Sequence, residues 1–224
     1  MNTRQLIQMP ASYGSINQYH FNRIVETLLG TLNVYSKVTV IRVDLNYSDN
    51  GAFSANPLER DSPTHFVNIY NNMMKLFFAS FNAKIDTQQH NFEKQGKRVY
   101  PCKVNYIWVK EYSQNGRAHY HVAILLNTKS YYHLGDYNYP DSLAWKIREA
   151  WSSALNLDME FCDGLVHFPQ NPVYVLNSNA SPKEYNDQVT EVLIRLGYLC
   201  KDRTKSSGDG AHCFECSNPQ KGLI

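Results

Sequence analysis

The sequence predicts an α+β fold, an antiparallel sheet of about five strands with helices packed on it. Three observations carry that prediction. Four segments read as helices, with their apolar residues at helical spacing. Lys37 to Leu45, KVTVIRVDL, is β-branched and alternating, as a half-buried strand requires. Val104 to Tyr112 and Ala118 to Leu126 flank a Gln-Asn-Gly turn and read as a hairpin. Strands joined by tight turns are antiparallel, and the helices are expected to cover one face of the sheet.

Each element follows in order. Residues 1–14 read as an arm. Ser15 to Tyr35 places Phe21, Ile24, Val25, Leu28 and Leu29 on one face, with Ser15 as its cap. After the strand at 37–45, Tyr47 to Pro63 holds Asn, Gly, Ser and two prolines and reads as a loop. Thr64 to Ile85 returns to helical period, with Phe66, Ile69, Met73, Leu76, Phe77 and Phe81 inward. Gln88 to Pro101 is polar and basic and is expected to be a loop. Beyond the hairpin, Asp141 to Leu155 is helical, capped by Asp141 or Ser142. Gly164 to Phe168 and Pro172 to Leu176 are short strands. Ser181-Pro182 opens a helix expected to reach Lys201, since proline suits a first helical turn. The expected division is an arm and helix over 1–35, a main domain over 36–205 and a tail over 206–224.

Composition bounds the function. At 43% hydrophobic and 13% aromatic, the 224 residues can bury a sizeable core. A net charge of +2 is no strong basic excess, so any nucleic-acid surface must be a local patch. Two basic clusters are candidates: Lys94, Lys97, Arg98 and Lys103, then Lys201, Arg203 and Lys205. Five cysteines, an odd number in a long chain, exclude a disulfide framework. Cys213-Phe-Glu-Cys216, beside His212, lacks the second ligand pair of a zinc site, so the tail is read as mobile with reduced thiols. No apolar leader core appears, and no run approaches the ~18 apolar residues of a membrane-spanning helix. A soluble, intracellular protein is expected.

The hairpin carries the first chemistry. If Gln114-Asn115-Gly116 is a three-residue loop with Gly116 left-handed, Ser113 faces Arg117 and Tyr112 faces Ala118. Glu111 then faces His119, and Val109 faces His121. Opposite residues share a face, as do i and i+2. Glu111, His119 and His121 therefore converge near the hairpin end. Two imidazoles and a carboxylate can hold a divalent metal with coordination positions left for phosphate or water. An isolated His-x-His is more often a pair of half-buried strand residues; the aligned glutamate is what singles this one out.

The second piece is VTEVLIRLGYLCKDRTK, residues 189–205. Val189, Val192, Leu193, Leu196, Leu199 and Cys200 form its apolar stripe. Tyr198 lies about 160° from Leu196 at 100° per residue, away from that stripe. Lys201 lies beside it at i+3. Gly197 leaves room where a side chain would obstruct a substrate strand. A nucleophilic tyrosine must be reachable and must lose a proton held near pH 10, which a neighbouring ammonium favours. Taken alone, a surface tyrosine beside a solubilising lysine explains the pattern equally.

Together the pieces resemble the HUH endonucleases, specifically single-tyrosine rolling-circle replication initiators. The first motif of such families is an early strand, matched by VTVIRVDL. The second is histidine–hydrophobe–histidine, matched by His119-Tyr120-His121. The third is a helix with Tyr-x-x-Lys, matched by Tyr198-Leu199-Cys200-Lys201. The order, histidines before tyrosine, is that of replication initiators. More narrowly, WVKEYSQNGRAHYHVAILLN followed by GYLCKD resembles inovirus-type replication proteins and the YagK/YfjJ-type proteins of prophages and islands. The likeness spans Val38 to Lys205. It departs in a first strand that is not Thr-rich and in lacking a second tyrosine one turn from Tyr198.

The resemblance implies that residues 36–205 form a nickase domain of the HUH, ferredoxin-like kind. Tyr198 would be the nucleophile and Lys201 its assistant. His119, His121 and Glu111 would hold Mg²⁺ or Mn²⁺. The substrate would be single-stranded or extruded origin DNA, with Arg117, Arg203, Lys205, Lys97 and Arg98 as DNA contacts and exposed aromatics stacking bases. Products would be a 5′-phosphotyrosine and a 3′-OH that primes replication of a phage or mobile element. Host helicase or replication machinery would be further partners, in the cytoplasm of a bacterial host. Two alternatives stay open on the same scaffold: a DNA-binding regulator that has lost nicking, and a single-tyrosine transposase. A histidine-triad hydrolase would need a histidine at Ala123.

Overall fold

The computed structural model describes residues 8–47, 63–113, 118–201 and 213–218, and for 63–71 the backbone alone. The order is α1 (Gln18–Val34), β1 (Lys37–Asn46), α2 (Pro63–Lys94), β2 (Asn105–Tyr112), β3 (Ala118–Asn127), α3 (Leu143–Leu155), β4 (Val166–His167), β5 (Val173–Asn177), α4 (Pro182–Gly197) and β6 (Phe214–Cys216). The predicted α+β class holds.

Every strand pairing is antiparallel. The sheet runs β4-β1-β3-β2-β6, and β5 pairs with β1 along the same edge as β4. There are six described strands rather than about five. The extra one is β6, from the region expected to be a mobile tail. Its Phe214 lies opposite Val109 and its Cys216 opposite Ile107. Both side chains are buried, so apolar burial recruits the segment to the sheet edge.

The helices cover both faces, not one. Period 2 divides the strands: Ile41, Val43 and Leu45 of β1 join Val122 and Ile124 of β3 on one face, against Met73, Phe77 and Phe81 of α2 and Ile147 and Trp151 of α3. Val38 and Val40 join Ile107, Val109, Ala123 and Leu125 on the other, under Ile24 and Leu28 of α1 and Val192, Leu193 and Leu196 of α4. Apolar residues on both faces of a central strand demand a layer on each side. Each fully buried Ile, Leu or Phe contributes about 1.5–3 kcal/mol.

Several element ends differ from expectation. Asn17, not Ser15, caps α1, its side chain accepting from the His20 N–H at 3.0 Å. α2 runs to Lys94, through the segment expected to be a loop; Ile85 is fully buried, and few helix breakers occur before Gly96 (φ +66°). Ser142 caps α3, accepting from Trp145 N–H. α4 stops at Gly197, and Tyr198–Cys200 continues as a 3₁₀ turn rather than α-helix. Phe66 and Ile69 lie outside the residues whose side chains are described. Among the described residues, no helix is long and apolar enough to cross a membrane.

Candidate metal and tyrosine site

The hairpin register is the predicted one: Tyr112 opposite Ala118, Glu111 opposite His119, Val109 opposite His121. On the other side of β3, Asn46 faces His119 and Asp44 faces His121. The face beneath α1 and α4 therefore ends in two rows, Asn46–His119–Glu111 and Asp44–His121–Val109. Glu111 is 2% exposed and His121 8%. The ligand atoms of Glu111, His119 and His121 all lie within 4.8 Å of one another. Glu111 Oε2 is 3.4 Å from His121 Nε2 and 4.0 Å from His119 Nε2. Donors on one ion at its usual bond lengths stand roughly 3–4 Å apart, a range the two Glu111 separations meet, so this set can hold a divalent metal. Three protein donors leave coordination positions open.

Asp44 orients the set. Its Oδ1 is 2.6 Å from His121 Nδ1. Burial pushes its carboxyl up, but the His121 hydrogen bond and the Arg42 guanidinium outweigh that and hold it well below the usual range. An ionised carboxylate only accepts, so His121 Nδ1 carries the proton and Nε2 faces Glu111 with a lone pair when the ring is neutral. Arg42, 2% exposed, bonds Asp44 at 3.1 Å and also donates to the Val122 carbonyl. Burial lowers His121, yet its bonds to Asp44 and Glu111 raise it above the ordinary histidine value. His167 of β4, opposite Asp44, stands 3.5 Å from its other oxygen. Asp44 was missed in the sequence. Its alternation with Arg42 inside an apolar strand was the available signal.

Tyr198 reaches this cluster from the end of α4. Its ring meets His121 edge-on, with centroids 5.4 Å apart. It is half-buried rather than pointing into solvent. Burial raises its phenol above the usual value, and the Glu111 and Asp44 charges raise it further, with Arg42 opposing. Lys201 lies 3.8 Å from the Tyr198 ring centre and 5.2 Å from that of Tyr13. Tyr13 itself meets Tyr198 at 5.8 Å, close to perpendicular. The N-terminal arm thus packs on the tyrosine turn: Asn17 N–H donates to the Cys200 carbonyl at 2.7 Å, and Ile16 bridges Lys201. Met9 lies over Gly197, where an added Cβ would stand 2.6 Å from its sulfur.

The other expected site residues are not gathered here. Arg117, Arg203, Lys205 and His212 lie outside the described residues, as does the hairpin loop. Lys97 and Arg98 sit over Phe92 and Tyr100. The Tyr100 carbonyl accepts from Ser130, just past the far end of β3. His119 and Asn127 are eight residues apart, about 26 Å along the strand, so Lys97 and Arg98 flank the opposite end of the sheet. Cys213 and Cys216 join no metal-binding group of three among the described residues.

A family model described as the YagK/YfjJ C-terminal domain matches residues 2–217. The chain belongs to the YagK/YfjJ family. It is 38% identical to the uncharacterized protein YagK of Escherichia coli K12, over 88% of this chain and 90% of YagK. It is 29% identical to the uncharacterized protein YfjJ of the same strain, over 92% and 97% respectively. Family membership therefore extends over the arm, the metal cluster, the tyrosine turn and β6. Among solved structures, the N-terminal nuclease domain of minute virus of mice non-structural protein 1 aligns at 10% identity, over 88% of this chain and 78% of that one. Its TM-score is 0.22, from which no shared fold follows.

Proposed function

We propose that this YagK/YfjJ-family chain is a metal-assisted single-strand DNA nickase that starts rolling-circle replication of a phage or mobile element. The observation that carries the reading is the meeting of Tyr198 with His121, on the histidine that completes the Glu111–His119–His121 group. A phenol and an open metal-binding set at one spot suit attack on a phosphodiester better than structural metal binding. The reading places the protein in the cytoplasm of a bacterial host, acting on single-stranded or extruded origin DNA and handing the product to host helicase or replication machinery.

Glu111, His119 and His121 would hold Mg²⁺ or Mn²⁺, which supplies Lewis-acid polarisation of a phosphate oxygen when bound. Asp44 keeps His121 in the tautomer that leaves Nε2 for the ion. The Tyr198 oxygen attacks phosphorus and loses its proton to solvent. The bond from phosphorus to the 3′ oxygen breaks, and that oxygen takes up a proton as a free 3′-OH. One phosphodiester is exchanged for a 5′-phosphotyrosyl ester, so the reverse step rejoins DNA without a nucleotide triphosphate. Lys201, beside the Tyr198 ring, offsets charge developing on the phenol and phosphate.

A denaturing gel tests this. The protein and its Tyr198→Phe variant are mixed with Mn²⁺ and labelled single-stranded DNA from the gene's own neighbourhood. A band shift that survives SDS, requires metal and is absent with Tyr198→Phe supports the nickase. Binding without any adduct points instead to a DNA-binding regulator.

A further inference from the structure

We propose that Arg195 grips a second phosphate of the same DNA strand, one helical turn from Tyr198. Arg195 lies three residues before Tyr198, and Lys201 three after it. Three residues of α-helix advance about 4.5 Å and return nearly to the same face. Arg195 on the last turn of α4 and Lys201 just past the 3₁₀ turn thus flank Tyr198 in the chain, and Lys201 also meets the Tyr198 ring.

Arg195 combines two features among the described residues, no paired carboxylate and a buried donor without an acceptor. Arg23, Arg42 and Arg148 each pair with a carboxylate, at 2.7, 3.1 and 3.0 Å. Among the described residues, no carboxylate pairs with Arg195. Its Nη2 donates to the Gln170 carbonyl at a long 3.4 Å. Its Nε is buried and has no hydrogen-bond partner among the described residues. Nε and one Nη form one edge of the guanidinium fork, the edge that takes two oxygens of a carboxylate or phosphate. Leaving that donor unmade in a half-buried position costs stability in the free protein, and an accepting ligand removes the cost.

The surroundings suit an anion. Arg195 touches the β4–β5 connection at Gln170, on the same sheet edge as His167, which stands at Asp44. The Tyr13 phenol, raised by burial, feels Arg195 as a lowering charge and Tyr174 as a neighbour. Tyr174 lies opposite Val40 on the α4 face of the sheet. Two phenols and a guanidinium so placed are all donors to a phosphodiester. The cation next inward, Arg42, is already neutralised by Asp44. Arg195 therefore supplies a local positive charge beside the Tyr13–Tyr198 pair, although the net charge is only +2.

This inference rests on the nickase reading, and the experiment separates the two. Binding of a labelled single-stranded oligonucleotide is measured against salt concentration in the Tyr198→Phe protein, with Arg195 intact, Arg195→Gln and Arg195→Lys. Adduct formation is followed in parallel in proteins that keep Tyr198. One lost phosphate contact lowers the salt slope by about 0.7 on single-stranded DNA. Arg195→Gln should show that loss with affinity down about tenfold, with no fall in melting temperature, since the unmet donor is removed. Arg195→Lys should recover the slope and only part of the affinity. Equal slope and affinity in Arg195→Gln, while wild type still forms its adduct, overturns the clamp alone. Weaker binding at an unchanged slope also overturns it, since that marks a structural role. No adduct and no DNA binding by wild type overturns both proposals.

Discussion

His121 and Asp44, 77 residues apart in sequence, meet at 2.6 Å between Nδ1 and Oδ1. That contact connects the hairpin's metal-binding face to the first strand. Asp44 answers two partners at once, the His121 ring outside and the buried Arg42 guanidinium behind it.

Asp44→Asn should therefore lose in both directions. Removing an orienting partner of a metal-bound histidine typically costs about 10–100-fold in affinity. Stripping a buried arginine of its counter-ion costs about 3–5 kcal/mol. Isothermal titration with Mn²⁺ and a thermal melt should show both changes together. An unchanged metal affinity would mean that Asp44 serves only Arg42.

Metal affinity should climb with pH through the raised His121 value. A proton on Nε2 competes with the ion, and the raised pKa extends that competition above the ordinary ~6.5. In the metal-free protein the linkage runs two ways. His121 contributes stability below ~6.5 that fades as pH rises through its folded value. Asp44 contributes stability above ~3.9 that is lost as pH falls through its lowered one. Melts across pH, with and without Mn²⁺, check both signs; metal binding unchanged between about pH 6 and about pH 8 contradicts the His121 competition.

Gly197 and Met9 should couple. Alanine favours a helix over glycine by about 1 kcal/mol, but the new Cβ meets the Met9 sulfur. Gly197→Ala should gain little in wild type and gain close to the full amount in a Met9→Ala background. A double-mutant cycle on denaturation midpoints measures the difference; strict additivity would show that the arm does not rest on the tyrosine turn in solution.

Trp151 ties the opposite core to the site. It is fully buried, and its indole N–H donates to the Asn46 carbonyl at 2.8 Å. Asn46 lies opposite His119. Trp151→Ala should cost about 3–5 kcal/mol. Trp151→Phe should cost less and still weaken metal binding, because Asn46 loses its donor. Denaturant unfolding and metal titration on the same samples distinguish the two effects.

The sequence by itself determined the α+β class, most strand and helix positions, and the convergence of Glu111, His119 and His121. Those features follow from short-range rules: period 2 along a strand, the geometry of a tight turn, and helical spacing of apolar residues. A three-residue loop sets every pairing outward from it, so the hairpin face could be counted from the turn. The same local rules overran the end of α4 and stopped α2 early, because helix ends are decided by burial and capping as much as by pattern. Only the tertiary structure decided which strands flank the hairpin and what the helix ends touch. It set Asp44 behind His121, sent part of the tail back as β6, laid the arm with Tyr13 and Met9 on the tyrosine turn, and brought Arg195 to the Gln170 carbonyl. Each of these joins segments tens of residues or more apart. Periodicity says which side of an element is buried, but not which other element buries it.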